Sequence, residues 1–140
     1  MSDRGLLIDE IVKDEGLRRF PYIDTVGKCT IGIGRNLTDK GISKREAFDL
    51  LDHDLDECVA DLASFPWFLT LDAVRQRAVC NLRFNLGPGR FRSFKRFLSA
   101  MAIKNYGKAA AELRDSKWFR QVQKSRSARI LHHIATGEEL

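Results

Sequence analysis

Three polar residues stand where short elements meet: Glu15, Asp24 and Thr30. Glu15 closes a helical pattern just before Gly16, at the helix end where the negative pole of the dipole disfavours a carboxylate. Asp24 opens the turn Asp24-Thr25-Val26-Gly27, and Thr30 sits on the strand-like run Cys29-Thr30-Ile31-Gly32-Ile33-Gly34. A hairpin folding back on the helix end would gather all three around one opening. Two carboxylates flanking a cleft are what glycoside hydrolysis requires. One gives a proton to the departing sugar oxygen; the other, ionised, activates water or stabilises positive charge at the anomeric carbon. A threonine hydroxyl can hold that water without adding charge. Singly, each residue has a plainer reading, because a Glu near a helix end is usually solvated and an Asp before Thr-x-Gly forms turns. The set becomes specific only when the whole segment is read together.

The elements around these residues follow from pattern. Ser2 or Asp3 can cap a first helix whose Leu7, Ile8, Ile11 and Val12 share a face, and Gly16 is expected to stop it in the left-handed conformation. Phe20-Pro21-Tyr22-Ile23 reads as a strand, with residues 29–34 as its returning partner. Gly32 and Gly34 strip one face of that partner of side chains, which suggests close approach by a ligand or another backbone. Ser43-Lys44-Arg45-Glu46 is a capping box, followed by about twenty residues of helical period through Leu50, Leu51, Leu55, Cys58, Val59 and Leu62. Phe65-Pro66-Trp67 predicts a break. Beyond Leu71 everything reads as helix: 72–84, a stripe of Phe91, Phe94, Leu98 and Met101 expected in the core, then 108–113, 118–122 and 127–135, the last stopped by Gly137. The fold class is therefore α+β, a small antiparallel sheet near the N-terminus followed by helices.

The 140 residues and 16.0 kDa argue for one domain or two small lobes, with about two-thirds of the unfolded surface buried on folding. With 44% hydrophobic and 31% charged residues, the chain is neither disordered nor collagen-like. No apolar run reaches a membrane span, and Met-Ser-Asp-Arg-Gly lacks a secretory profile, so the protein is expected to stay where it is made. Cys29, Cys58 and Cys80 have no metal-ligand spacing and read as buried reduced thiols; neither a metal site nor a cofactor is expected. Residues 1–80 hold 11 Lys/Arg against 15 Asp/Glu, whereas residues 81–140 hold 13 against 4. Such asymmetry fits attraction of the second half to a polyanion, or simply a solvated basic surface.

Read together, Asp14-Glu15-Gly16-Leu17-Arg18, Tyr22-Ile23-Asp24-Thr25-x-Gly27 and Thr30-Ile31-Gly32-Ile33-Gly34 resemble the phage T4-type lysozyme family of endolysins. The spacing E-x8-D-x5-T with its flanking residues is far more specific than any pair of carboxylates. Leu71-Asp72-Ala73-Val74-Arg75, Asn81-x-x-Phe84-Asn85-x-Gly87, Ser116-Lys117-Trp118, Arg126-x-x-Arg129 and Thr136-Gly137 continue the resemblance in the family's order. It spans nearly the whole chain, which is shorter than the longest members between Gly34 and Ser43. The resemblance implies a two-lobed catalytic domain: a small β-containing lobe at about 15–42, a bridging helix at about 43–63, and a helical lobe at about 64–140 that takes in the N-terminal helix. It implies hydrolysis of the β-1,4 bond between N-acetylmuramic acid and N-acetylglucosamine, with Glu15 as general acid, Asp24 as the opposing carboxylate and Thr30 positioning water. The arrangement is similar to an inverting hydrolase, so a carboxyl separation of about 6.5–9.5 Å is expected. Phe84 and Asn85 match positions on the cleft floor, Asn85 standing for a longer amide in the best-known member. Arg126 matches an arginine facing the acid, and these three are the expected substrate-binding residues. Arg35, where His is frequent, is expected to pair with Asp54 on the bridging helix.

The partner implied is bacterial peptidoglycan, reached from the host cytoplasm with the help of a holin and degraded in the periplasm during phage lysis. The protein is expected to be a bacteriolytic monomer that binds no nucleic acid and makes no stable membrane insertion. A lytic transglycosylase would use one carboxylate on the same bond and leave Asp24 without a role. A non-catalytic basic module binding nucleic acid or an envelope surface would explain neither the glycines around Thr30 nor the E-x8-D-x5-T set. A catalytically dead relative is disfavoured because all three key residues are present.

Overall fold

The computed structural model describes residues 2–140. They fall into two compact units that meet between Asp49 and Leu50. The α+β class expected from the sequence is the one observed, with a three-stranded antiparallel sheet in the first unit and a helical second unit.

The first unit opens with α1 (Arg4–Glu15), which buries no residue. Asp3 occupies its N-cap without a side-chain cap bond. Gly16 ends the helix at φ 75° and ψ 162°, so its N–H reaches Val12 O and the chain leaves extended. That is a correction to the expected left-handed stop, although positive φ still favours glycine here. The chain then enters β1 (Arg18–Ile23), β2 (Cys29–Gly32) and β3 (Arg35–Asn36), in that spatial order. Tyr22 and Ile23 pair with Thr30 and Cys29, and the register slips between Arg18 and Tyr22. The returning strand expected over 29–34 therefore ends at Gly32, and residues 33–34 turn into a further short strand. Gly34, at φ 70°, turns the chain so that Arg35 and Asn36 come back beside Ile31 and Thr30.

Helix α2 (Lys44–Leu62) starts on the predicted capping box: the Ser43 N–H donates to Glu46 Oε1 at 2.9 Å and the Glu46 N–H to Ser43 Oγ at 3.1 Å. Glu46 does a second job. Its carboxylate receives Arg35 as a fork, Nη1 at 2.9 Å and Nη2 at 2.8 Å, so the expected Arg35–Asp54 pair is replaced by Arg35–Glu46. The reason is reach: Asp54 lies eight residues further along the helix, about 12 Å of rise, while Glu46 is in the first turn and already held by Ser43. The Arg35 bond, with help from Ser43, pulls the Glu46 carboxyl down to about 2.

In the second unit the last turn of α2 buries Cys58 and Leu62, while Leu50, Leu51, Leu55 and Val59 stay exposed. After a 3-10 turn at Phe68–Thr70 come α3 (Ala73–Leu86), α4 (Pro88–Ser93), α5 (Lys95–Ala102), α6 (Tyr106–Arg114), α7 (Lys117–Gln121) and α8 (Lys124–Thr136). The aromatic stripe is broken at Phe94, whose ψ of 59° separates α4 from α5; Phe91, Phe97 and Met101 are buried, and Phe94 and Leu98 half-buried against them. Leu62, Val79, Leu82, Leu113, Trp118, Ile130 and Ile134 complete the centre of this core. Asp61, at the end of α2, ties the helices together. It accepts Arg92 Nη2 at 2.6 Å and Arg83 Nε at 2.8 Å, and those guanidinium groups hold its carboxyl at about 2. The three cysteines are free; Cys58 is buried, while Cys29 and Cys80 are half-buried.

Candidate active site

In the first unit the backbone of Asp24 and the side chain of Thr30 share one acceptor. The carbonyl of Lys28 accepts the Asp24 N–H at 2.9 Å and the Thr30 Oγ1 hydroxyl at 3.1 Å. The reason is local: Asp24 starts the β1–β2 turn, and its Oδ1 accepts the backbone N–H groups of Val26 at 3.0 Å and Lys28 at 2.8 Å. Asp24 is therefore a turn former and a fixed carboxylate at once. One oxygen is committed to the turn, and Oδ2 has no hydrogen-bond partner among the described residues. Thr30 lies on the middle strand between Tyr22 and Asn36 and is buried. Because its hydroxyl hydrogen goes to Lys28, the oxygen lone pairs are what it offers to a visitor.

Glu15 arrives from α1. Its carboxyl lies against the bare Cα of Gly34: a Cβ built there would fall 2.9 Å from both Glu15 Cδ and Oε2. Where a ligand or another backbone was expected to approach the glycines, it is the Glu15 side chain that does so, at Gly34 only, whereas Gly32 has nothing within 4 Å of a Cβ. Arg35, the next residue, is clamped by Glu46 and by the Gly41 carbonyl at 3.3 Å, which fixes the backbone on which Gly34 sits. Sequence reading did not foresee the Lys28 carbonyl bridge or the Arg35–Glu46 clamp. The capping box contained half the signal for the clamp, since it already directed Glu46 back toward the start of the helix.

The other expected residues belong to the second unit. Phe84 and Arg126 line one cavity of about 750 Å³, together with Leu55, Val59 and Cys80. Arg126 Nε donates to Asn81 Oδ1 at 2.9 Å. Asn85, one residue on, faces a different and smaller depression beside Arg90 and Gln121. Its Oδ1 accepts the buried Trp118 Nε1–H at 2.7 Å, which fixes the amide orientation and leaves both N–H donors of Nδ2 outward.

Comparison with known proteins places the chain in a family. A family profile described as Phage lysozyme matches residues 12–132. The chain is 32% identical to the pre-baseplate central spike protein Gp5 of Enterobacteria phage T4, over 89% of its own length and 27% of the spike protein. It is 28% identical to a probable T4-type lysozyme 1 of Dictyostelium discoideum, covering 92% of this chain and 93% of that protein. A second Dictyostelium protein, probable T4-type lysozyme 2, is 29% identical over 94% of each chain. The chain thus spans about a quarter of the spike protein and nearly all of the two amoebal proteins.

Proposed function

The chain belongs to the phage lysozyme family and is a glycoside hydrolase of the lysozyme class, and from that premise we propose that it hydrolyses the β-1,4 bond between N-acetylmuramic acid and N-acetylglucosamine with inversion. Glu15, protonated, donates to the glycosidic oxygen as the bond to the anomeric carbon breaks. A water held by Thr30 Oγ1 attacks that carbon from the opposite face, and Asp24 Oδ2 takes its proton. The products are a reducing N-acetylmuramic acid end and a free hydroxyl on N-acetylglucosamine, so atoms and charge balance. Such a mechanism needs room for the water between the carboxyl groups, about 6.5–9.5 Å.

The observation that carries this reading is the Lys28 carbonyl shared by Asp24 and Thr30. It ties the backbone of Asp24, whose carboxylate keeps one oxygen free, to the Thr30 hydroxyl with its free lone pairs, the two groups that holding and deprotonating a single water demands. A transglycosylase has no use for that pair. The test is the anomeric configuration of the first-formed product on peptidoglycan fragments, followed by NMR before mutarotation: α-anomer supports inversion and β-anomer contradicts it. Asp24→Ala separates the enzyme classes, since a hydrolase loses nearly all activity and a transglycosylase keeps most of it.

Phe84, Asn85 and Arg126 are proposed to contact the glycan or its peptides, Asn85 through its outward Nδ2. In this reading the biological role is host lysis by a phage, with a monomeric enzyme released to the periplasm through a holin lesion. The basic stretch after residue 80 would concentrate it on the anionic wall, with a strong salt dependence.

A further inference from the structure

Several exposed side chains of the β1–β2 hairpin are not used by the chemistry above. Leu17, Phe20, Ile23 and Val26 are 66%, 75%, 68% and 75% exposed, all within ten residues of chain. Four large apolar side chains so close in sequence and left to water point to a partner surface. Arg18 and Arg19 stand among them, and residues 16–23 contain no acidic residue. Among the described residues neither arginine has an ion pair. Each lies instead over a ring of its own strand, Arg18 Cζ 4.2 Å from the Tyr22 centroid and Arg19 Cζ 5.8 Å from that of Phe20. Lys28, the next cation, is already paired with Asp39 at 3.2 Å.

The form of the strand decides what kind of partner fits. β1 pairs with β2 alone and is a sheet edge, yet Pro21 lacks an N–H and the register slips between Arg18 and Tyr22. An interrupted edge is a poor template for a strand from another protein. What remains is a thin strand edge with exposed apolar side chains and two guanidinium groups free of carboxylates, Arg18 on the face of Tyr22 and Thr30, and Ile23 on the other, so that a partner meets it edge-on. Apolar side chains entering the interfacial layer while arginines stay at headgroup phosphates is the pattern of peripheral membrane attachment. We propose that this hairpin docks the protein on an anionic lipid bilayer, Phe20 and Ile23 inserting and Arg18 and Arg19 contacting lipid phosphate. The attachment is peripheral, and it is independent of the catalytic reading.

The test is co-sedimentation of the full chain with vesicles of phosphatidylcholine alone or mixed with phosphatidylglycerol, at low and physiological salt. The expected result is binding to the mixed vesicles that weakens with salt, and at least tenfold weaker binding to phosphatidylcholine. Phe20→Ser with Ile23→Thr, and separately Arg18→Gln with Arg19→Gln, should each reduce binding to mixed vesicles about tenfold or more. Circular dichroism and turnover of lipid-free peptidoglycan report whether each variant is folded, and either pair alone suffices as the test. Arg114→Gln with Arg120→Gln, which removes two exposed charges from the second unit, should leave binding within twofold. No vesicle binding by the wild type would overturn the proposal, as would equal binding by the wild type and both hairpin pairs. Loss of binding on removal of Arg114 and Arg120 alone would assign adhesion to the basic second unit and also overturn it. Concentration-dependent dimerisation abolished by Phe20→Ser with Ile23→Thr, without vesicle binding, would make a second copy the occupant instead.

Discussion

Replacing Gly34 by alanine isolates the placement of the Glu15 carboxyl from the stability of the sheet. At Gly34 the new Cβ would stand 2.9 Å from Glu15 Cδ and Oε2, where ordinary contact begins at 3.4 Å, so the carboxyl must retreat by about 0.5 Å. The atoms displaced are the end of a flexible side chain, so the steric cost to folding is small. The backbone cost is separate. Alanine at φ 70° loses roughly 1–2 kcal/mol, which lowers Tm by about 2–8 °C for a chain of this size. Gly32 supplies the control, because its φ of 69° carries the same backbone cost with nothing within 4 Å of the new Cβ. Misplacing a reacting group by about 1 Å costs on the order of 100-fold in rate, so a retreat of half that distance should cost at least about 10-fold. Gly34→Ala should therefore lose about 10- to 100-fold in kcat on solubilised peptidoglycan, while Gly32→Ala stays within about 3-fold and the two melt alike. Equal activity in the two variants would refute the contact between Glu15 and Gly34 as the determinant of acid placement.

Other expectations follow from the same geometry. Thr30→Val removes the hydroxyl but leaves the Lys28 carbonyl its bond from the Asp24 N–H, so no buried acceptor is orphaned; stability should change by less than about 1 kcal/mol and turnover should fall about 100-fold, measured by denaturation and reducing-end assay. Trp118→Phe strips the exposed Asn85 Oδ1 of its protein donor, costing about 0.5–1.5 kcal/mol and raising KM more than it lowers kcat. Asp61 and Glu46 both titrate at about 2 in the folded chain, below their ordinary values of 3.8 and 4.5. Their contribution is thus fully present above about pH 5 and is lost as pH falls toward 2, because the unfolded chain takes up the protons first. For Asp61, whose side chain is 23% exposed, this amounts to roughly 2 kcal/mol. Asp61→Asn should lower Tm at pH 7 and flatten its fall between pH 4 and 2, whereas an unchanged acid limb would remove Asp61 from that role.

The sequence was most legible where local chemistry fixes local structure. The capping box at Ser43 and Glu46 formed as read, because both of its bonds lie within four residues. The Asp24 turn formed as read for the same reason. What escaped depends on side chains choosing among partners. Arg35 had an acid available at Glu46 and another at Asp54, and reach along the helix decided for the nearer. Glycines at 32 and 34 look identical in a pattern, yet only one receives a side chain. Phe84 and Asn85, adjacent in sequence, diverge around α3 into separate depressions, a consequence of about 100° of helical rotation per residue. The break at Phe94 turned the chain so that Phe97 is buried while Phe94 and Leu98 of the expected stripe are half-buried, a change that periodicity alone did not reveal.

The most direct test of the account is release of reducing ends from purified Gram-negative peptidoglycan by the wild type and by Glu15→Gln, with the products resolved by mass. Reducing N-acetylmuramic acid termini are expected from the wild type, and their loss by at least about 100-fold in a Glu15→Gln variant that melts normally. Anhydro-muramic termini, or full activity without the Glu15 carboxyl, would contradict it.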